Sequence, residues 1–194
     1  MGVVLDAVCV FAGSNPGARS SYVAAAASLG GALAAAGTTM VYGGASVGMM
    51  GAVADAALAD GGRVIGVIPQ HLVDHEVAHP ALSELEVVTS MHARKQRMAD
   101  LADAFVVLPG GLGTLEEAFE VLTWTQLGLH AKPLGFLDVD GYFETLATFL
   151  DHAATERFVR PEHRALATFD PDPTSLLERL SSFTAPAVGK WLDR

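Results

Sequence analysis

Cysteine is nearly absent from this chain: Cys9 is the only one in 194 residues. No disulfide can form within the chain, which fits a reducing compartment. Cys9 stands in the apolar run Ala7-Val8-Cys9-Val10-Phe11, where a buried thiol is expected. Positive charge is scarce as well. Lys and Arg number 12 against 22 Asp and Glu, a formal net charge of −10. A surface for nucleic acid polymers is therefore not expected, although a local group of basic residues can still hold one small phosphate. Long hydrophobic runs are also missing. The most apolar stretch, 22–36, is mainly alanine and glycine, short and weakly hydrophobic for a membrane span. The start of the chain has no basic segment, and Asp6 interrupts its first apolar stretch, so a secretory signal is not expected. Asp6 also occupies the position where N-myristoylation wants Ser or Thr. These absences together describe a soluble cytoplasmic protein without membrane contact.

What is present is apolar residue, 51% of the chain against 18% charged, the composition of a globular protein. Short β-branched runs alternate with longer helical patterns. Strands are expected at 3–11, 38–42, 63–68, 86–89, 105–108, 134–137 and 165–169. Helices are expected at 20–36, 48–60, 91–102, 114–129, 142–154 and 174–182, with Ser90 as an N-cap. Pro69 and Pro109 should stop the strands before them. Such alternation implies parallel βαβ units, and strands apolar throughout, such as Phe105-Val106-Val107-Leu108, fit a sheet covered on both faces. No repeat, linker or second domain is visible, so residues 1–194 read as one α/β domain with a peripheral tail from about 185. Ligands of open α/β sheets bind beyond the C-terminal strand ends, which singles out the loops after Phe11, Tyr42, Ile68 and Leu108.

The strongest motif is Pro109-Gly110-Gly111-Leu112-Gly113-Thr114-Leu115-Glu116-Glu117. Its glycines lie between a buried strand and a helix, letting a ligand approach the backbone amides. The following helix offers unpaired N–H groups and a positive dipole end, and Thr114 adds a hydroxyl. One phosphate fits such a cradle. No Gly-Lys-Ser/Thr follows, so this is not a Walker loop, and Glu116 replaces the third glycine of the dinucleotide fingerprint. A second glycine loop, 43–51, could hold a ribose or serve close helix–sheet packing at Gly48 and Gly51. The loop Gly13-Ser14-Asn15-Pro16-Gly17 offers small polar groups at another strand end.

Met91, Arg94, Met98 and Leu101 share one helical face. An arginine within an apolar stripe needs a partner when buried, and Glu117 is the best candidate. Arg97 reads as a solvated charge. Thr114-x-x-Glu117 also matches a capping box with Thr114 as N-cap. A carboxylate close to a phosphate repels it, so Glu117 makes better sense facing another part of the ligand, such as a ribosyl C1 gaining oxocarbenium character. Arg94 could orient Glu117, contact the phosphate, or both. Glu116 reads as an ordinary first-turn acid.

His75-Glu76-Val77-Ala78-His79 matches the zinc-protease pattern H-E-x-x-H. That chemistry needs a helix, and Pro80 disfavours one, so a loop role is expected and no metal. Glu76 can still reach a ligand, since this loop also follows a strand. His92 and His130 have no evident triad partners and read as solvated or capping.

Met91-His92-Ala93-Arg94-Lys95, the 109–117 motif, and Thr123-Trp124-x-Gln126-Leu127-Gly128 together resemble the Lonely Guy (LOG) family of cytokinin riboside 5′-monophosphate phosphoribohydrolases. Gly13-Ser14 and the 43–51 loop extend the resemblance to about residues 5–180. It implies a Rossmann-like, doubly wound parallel sheet with helices on both faces. It also implies a homodimer with active sites near the interface, hexamers being known among longer relatives, and no metal or organic cofactor. The family's catalytic arginine falls on Arg94 and its catalytic glutamate on Glu117. Its phosphate loop falls on Gly110, Gly111, Gly113 and Thr114. Met91, Lys95 and Glu76 occupy positions of substrate contacts, as do Ser14, Gly43 and Gly44 in the other two loops. The implied substrates are AMP and isoprenoid-modified AMP. Asn15 stands where many members have serine and Ala45 where many have a third glycine, which bears on ribose contacts. Relatives have been labelled lysine decarboxylases, but a pyridoxal enzyme needs a Schiff-base lysine with supporting partners, and these motifs identify none. The rival reading is a non-catalytic carrier of a phosphate-bearing ligand such as molybdenum cofactor, which has no need of the Arg94–Glu117 pair.

Overall fold

The computed structural model describes residues 4–73 and 78–185. Seven strands form one parallel sheet: β1 (Ala7–Phe11), β2 (Thr39–Tyr42), β3 (Val64–Pro69), β4 (Glu84–Val88), β5 (Ala104–Val107), β6 (Leu134–Leu137) and β7 (Ala167–Asp170), in the order β4-β3-β2-β1-β5-β6-β7. Side chains alternate between the faces of a strand, so each central strand feeds two cores. Val8 and Val10 of β1 pack with helices α1 (Ser20–Ala35), α2 (Gly48–Ala59) and α8 (Pro173–Ser181). Cys9 and Phe11 face the opposite layer of α4 (Met91–Leu101), α5 (Leu112–Gln126) and α6 (Glu144–Thr155). Two short helices, α3 (Gln70–Val73) and α7 (Pro161–Arg164), lie in connections. The alanine and glycine of 22–36 serve close packing: a Cβ on Gly30 would strike the Val53 carbonyl of α2. This is the doubly wound α/β sheet expected.

Several boundaries differ from the expected ones. Pro69 is the last residue of β3, paired with Val88 of β4; the pairing with β2 stops at Gly66, so a proline there faces a neighbouring strand on one side only. The first strand starts at Ala7, and the helix after the 109–111 turn starts at Leu112, two residues early. None of the described helices is long and apolar enough to cross a membrane.

The strand order reverses direction between β1 and β5, and this switch point is where open α/β sheets hold their ligands. Just past it the two loops are tied together. Leu108 N–H donates to the Phe11 carbonyl at 2.9 Å, and Gly13 N–H to the Pro109 carbonyl at 3.2 Å.

Candidate active site

A cleft of about 460 Å³ opens above β1 and β5. One wall is the loop after β1, with Ser14 and Asn15; the floor is the 109–114 turn; Met91, Arg94 and Glu117 close it from α4 and α5.

The turn explains why three glycines are needed, and for different reasons. A Cβ on Gly110 would collide with Thr114 Oγ1 and lie 2.8 Å from the Gly13 nitrogen, so packing demands glycine there. Gly111 and Gly113 are different: a Cβ on either would meet nothing within 4 Å. Neither has a positive φ. Folding alone does not call for glycine at these two positions, whereas close approach of a ligand to the amides does. Gly111, extended at φ −93° and ψ −154°, is the N-cap of α5, so the helix presents its first N–H groups and dipole end here. Thr114 is therefore not an N-cap and heads no capping box with Glu117, as the motif had suggested. It is the third residue of the helix and is buried against Gly110. The N-terminus of α2 is already occupied: the N–H groups of Met49 and Met50 both donate to the Gly13 carbonyl, at 3.0 and 3.3 Å.

Ser90 caps α4, its Oγ accepting from Ala93 N–H at 3.1 Å. One turn on, Arg94 is buried. Its Nε donates to the Val67 carbonyl at 3.2 Å, and Nη1 reaches the Met91 sulfur at 3.9 Å. Arg94 Nη1 lies 3.6 Å from Glu117 Oε1, with side-chain exposures of only 10% and 12%. That distance is an ion pair rather than a hydrogen bond, which leaves the carboxylate's lone pairs available to the cleft. Burial pushes the Glu117 carboxyl above its ordinary value; Arg94 opposes the shift without cancelling it. The other ionic contacts lie outside this pair. Lys95 Nζ bonds Glu116 at 2.6 Å and Glu120 at 3.0 Å. Partial burial disfavours the Lys95 charge, but the two carboxylates outweigh it and hold the ammonium above the usual lysine value. Glu116 is thus more than a dipole-favoured acid. Arg97 is not merely solvated either: it holds Glu86 through Nε and Nη2 at 2.6 and 2.7 Å, a pairing invisible in the helix's own pattern.

Of the residues singled out in the sequence, Ser14, Met91, Arg94, Gly110, Gly111, Gly113, Thr114 and Glu117 line the cleft. Lys95, Gly43 and Gly44 do not. Gly43 and Gly44 are buried, Gly43 against the Arg94 guanidinium and Gly44, at φ +76°, against Ile68 and Leu85. Gly48 packs on Ser14 and Gly51 on Ser46, so the packing alternative for this loop describes its geometry. Glu76 and His75 lie outside the described residues. His79 has both ring nitrogens engaged, Nε2 with Asp55 at 3.0 Å and Nδ1 with Ala81 N–H at 3.2 Å. His130 is neither solvated nor a cap. Its ring packs against Phe105 and Trp124, and Nδ1 accepts from Lys132 N–H at 3.2 Å. Met49 and Met50 enter the cleft from the 43–51 loop, whereas sequence reasoning missed Tyr22 and Tyr142, which line it from distant parts of the chain. Tyr22 lies against Gly17, whose φ of +76° the structure alone reveals.

A protein of Oryza sativa subsp. japonica named as a probable cytokinin riboside 5′-monophosphate phosphoribohydrolase is 51% identical over 176 residues, 91% of this chain and 78% of that protein. The chain belongs to the LOG family. A second LOG member, a cytokinin riboside 5′-monophosphate phosphoribohydrolase of Arabidopsis thaliana, is 46% identical over 91% of this chain and 81% of its own length. The matching family model, described as possible lysine decarboxylase, covers residues 50–180. The LOG fold also appears in the molybdenum cofactor binding protein of Rippkaea orientalis, with a TM-score of 0.67, 22% identity and coverage of 89% of this chain and 93% of that one. The molybdenum cofactor carrier protein of Chlamydomonas reinhardtii has a TM-score of 0.67 at 20% identity, covering 90% and 96%. At that identity the likeness concerns the fold alone. As for the family model's description, the two described lysines are committed elsewhere: Lys95 to its carboxylates, and Lys132 to the Ala99 carbonyl at 2.7 Å.

Proposed function

We propose that this protein hydrolyses the N-glycosidic bond of adenosine 5′-monophosphates, N6-modified ones included, to free base and ribose 5-phosphate. The observation that carries the reading is the sharing of one cleft by two features. Gly111 and Gly113 line the cleft with open space where a side chain would stand, and the Glu117 carboxylate stands one helical turn away beside Arg94. The 5′-phosphate sits on the amides of Gly111, Gly113 and Thr114 at the start of α5, where N–H groups and the helix dipole favour an anion. Glu117 faces ribosyl C1. As the C1–N bond breaks, its electron pair leaves with the base, and the carboxylate stabilises the positive charge growing on the sugar. Water, oriented by the same carboxylate, adds its oxygen to C1; one of its protons stays on the new C1 hydroxyl and the other passes to the departing base. Arg94, fixed by the Val67 carbonyl, holds Glu117 in place and helps fix the phosphate. Met91 and Ser14 contact the substrate from the two walls. The names of the relatives support this substrate class.

The reading extends to a homodimer. Leu112 and Phe119, seven residues apart on one face of α5, are 88% and 36% exposed beside the cleft, and a second copy covering them places each site near the interface. A cytoplasmic location fits the free, buried Cys9.

The test is incubation of the purified protein with AMP and with N6-isopentenyl-AMP, followed by chromatography for free base. Release is expected from both, and Glu117→Gln is expected to abolish it while still binding nucleotide. Absence of free base, or undiminished turnover by Glu117→Gln, overturns the reading.

A further inference from the structure

Tyr142 belongs to no motif and has no part in the chemistry above, yet its phenol lies at the cleft and donates to the Gly110 carbonyl at 2.6 Å. It is held there from several directions. Its ring meets Tyr22 edge-on with centroids 5.6 Å apart and Phe143 at 4.9 Å. Asp138, after β6, accepts from Phe143 N–H at 2.6 Å. Asp140, in the 3₁₀ turn Val139–Gly141, has φ 52°. A non-glycine residue occupies the left-handed region at a cost that its surroundings must offset. Here the Asp140 carboxylate accepts from Ser21 Oγ at 2.6 Å and faces Arg19 at 3.7 Å. The turn is thereby strapped to the start of α1, and the strap aims one hydroxyl at one carbonyl.

That carbonyl belongs to the turn that must receive the anion. Glycines lose more conformational freedom on ordering than any other residue, so a ligand that had to order 110–113 by itself would bind more weakly. In a trans peptide the carbonyl and the following N–H point in opposite directions. Anchoring the Gly110 oxygen therefore fixes the direction of the Gly111 N–H. It also turns the carbonyl's partial negative charge toward a donor. We infer that Tyr142 is a positioning residue that pre-orders the glycine turn for the substrate's phosphate. The inference rests on the phosphate placement proposed above.

Tyr142→Phe keeps the ring and its contacts and removes only the donor. Calorimetry with AMP, ribose 5-phosphate and adenosine, run in the Glu117→Gln background that binds without turnover, separates phosphate binding from the rest. Affinity for AMP and ribose 5-phosphate is expected to fall about tenfold, the size of one lost hydrogen bond, with adenosine unaffected. In turnover, KM for AMP should rise by the same factor at nearly constant kcat, and the melting temperature should hold. Asp140→Gly, which keeps the left-handed backbone but cuts the strap, should show the same phosphate-selective loss. A Tyr142→Phe protein that loses adenosine and AMP equally, or keeps full affinity for both, overturns the role while leaving the proposed function intact. A Glu117→Gln protein with Tyr142 intact that binds AMP no more tightly than adenosine overturns the phosphate placement and this role with it.

Discussion

The Arg94 guanidinium occupies the space where any side chain on Gly43 would begin. The second glycine loop therefore shapes the cleft from behind, by leaving room for the Arg94 guanidinium that lines it. Gly43→Ala must push Arg94 off its place between the Val67 carbonyl and Glu117. A displacement of this size near a reacting centre costs on the order of 100-fold in kcat, and overpacking costs about 1–3 kcal/mol of stability. The expected result is a folded protein with a lower melting temperature and a strongly reduced rate of base release from AMP. Wild-type kcat in Gly43→Ala would show that Arg94 has no role in turnover.

Gly111→Ala and Gly113→Ala should behave in the opposite way. Their Cβ atoms meet nothing within 4 Å; alanine at Gly113, in the first turn of α5, favours the helix by up to about 1 kcal/mol, whereas alanine at Gly111, the N-cap, is slightly less favourable than glycine. The melting temperature is expected to hold or rise for Gly113→Ala and to fall slightly for Gly111→Ala, while KM for AMP increases by about tenfold or more in both because an added methyl group hinders close approach to the turn. A stable variant with unchanged KM would remove the phosphate from this turn.

In the proposed mechanism the ionised form of Glu117 is the one that stabilises a cationic sugar, so activity should fall as pH drops through its pKa. Burial raises that pKa above 4.5, the ordinary glutamate value, and the acid limb of kcat/KM should lie correspondingly high. Arg94 pulls the pKa down, so Arg94→Gln should move the limb to still higher pH besides lowering the plateau. Profiles between about pH 4 and pH 8 measure both; an acid limb unmoved by Arg94→Gln would separate the two residues.

Stability should carry the signature of His130. Burial pushes its pKa from 6.5 down to about 4, because the imidazolium is disfavoured beside Phe105 and Trp124. The unfolded chain accepts a proton that the folded one refuses, so this contribution is whole above pH 6.5 and is lost as pH falls toward 4. His130→Asn, which keeps an acceptor for Lys132 N–H, should narrow the gap in melting temperature between about pH 7.5 and pH 5. An equal gap in both proteins would assign the acid sensitivity to other groups.

Much was legible in the chain by itself, because it depends on neighbours in sequence. Alternation and apolar runs specified a parallel sheet covered on both faces. The spacing 91, 94, 98 specified the face that carries Arg94 inward, Ser90 its cap, and the glycine turn its position between strand and helix. What depends on neighbours in space was decided only by the tertiary structure. The strand order brings the loop after β1 against the turn after β5. It sets Gly43 behind Arg94, Glu86 beside Arg97, and Tyr142 over Gly110. Local periodicity reports which side of an element is apolar and says nothing about which element comes to lie opposite. That choice is made when the sheet winds outward from β1 in both directions, and the cleft exists only at the point where the winding turns.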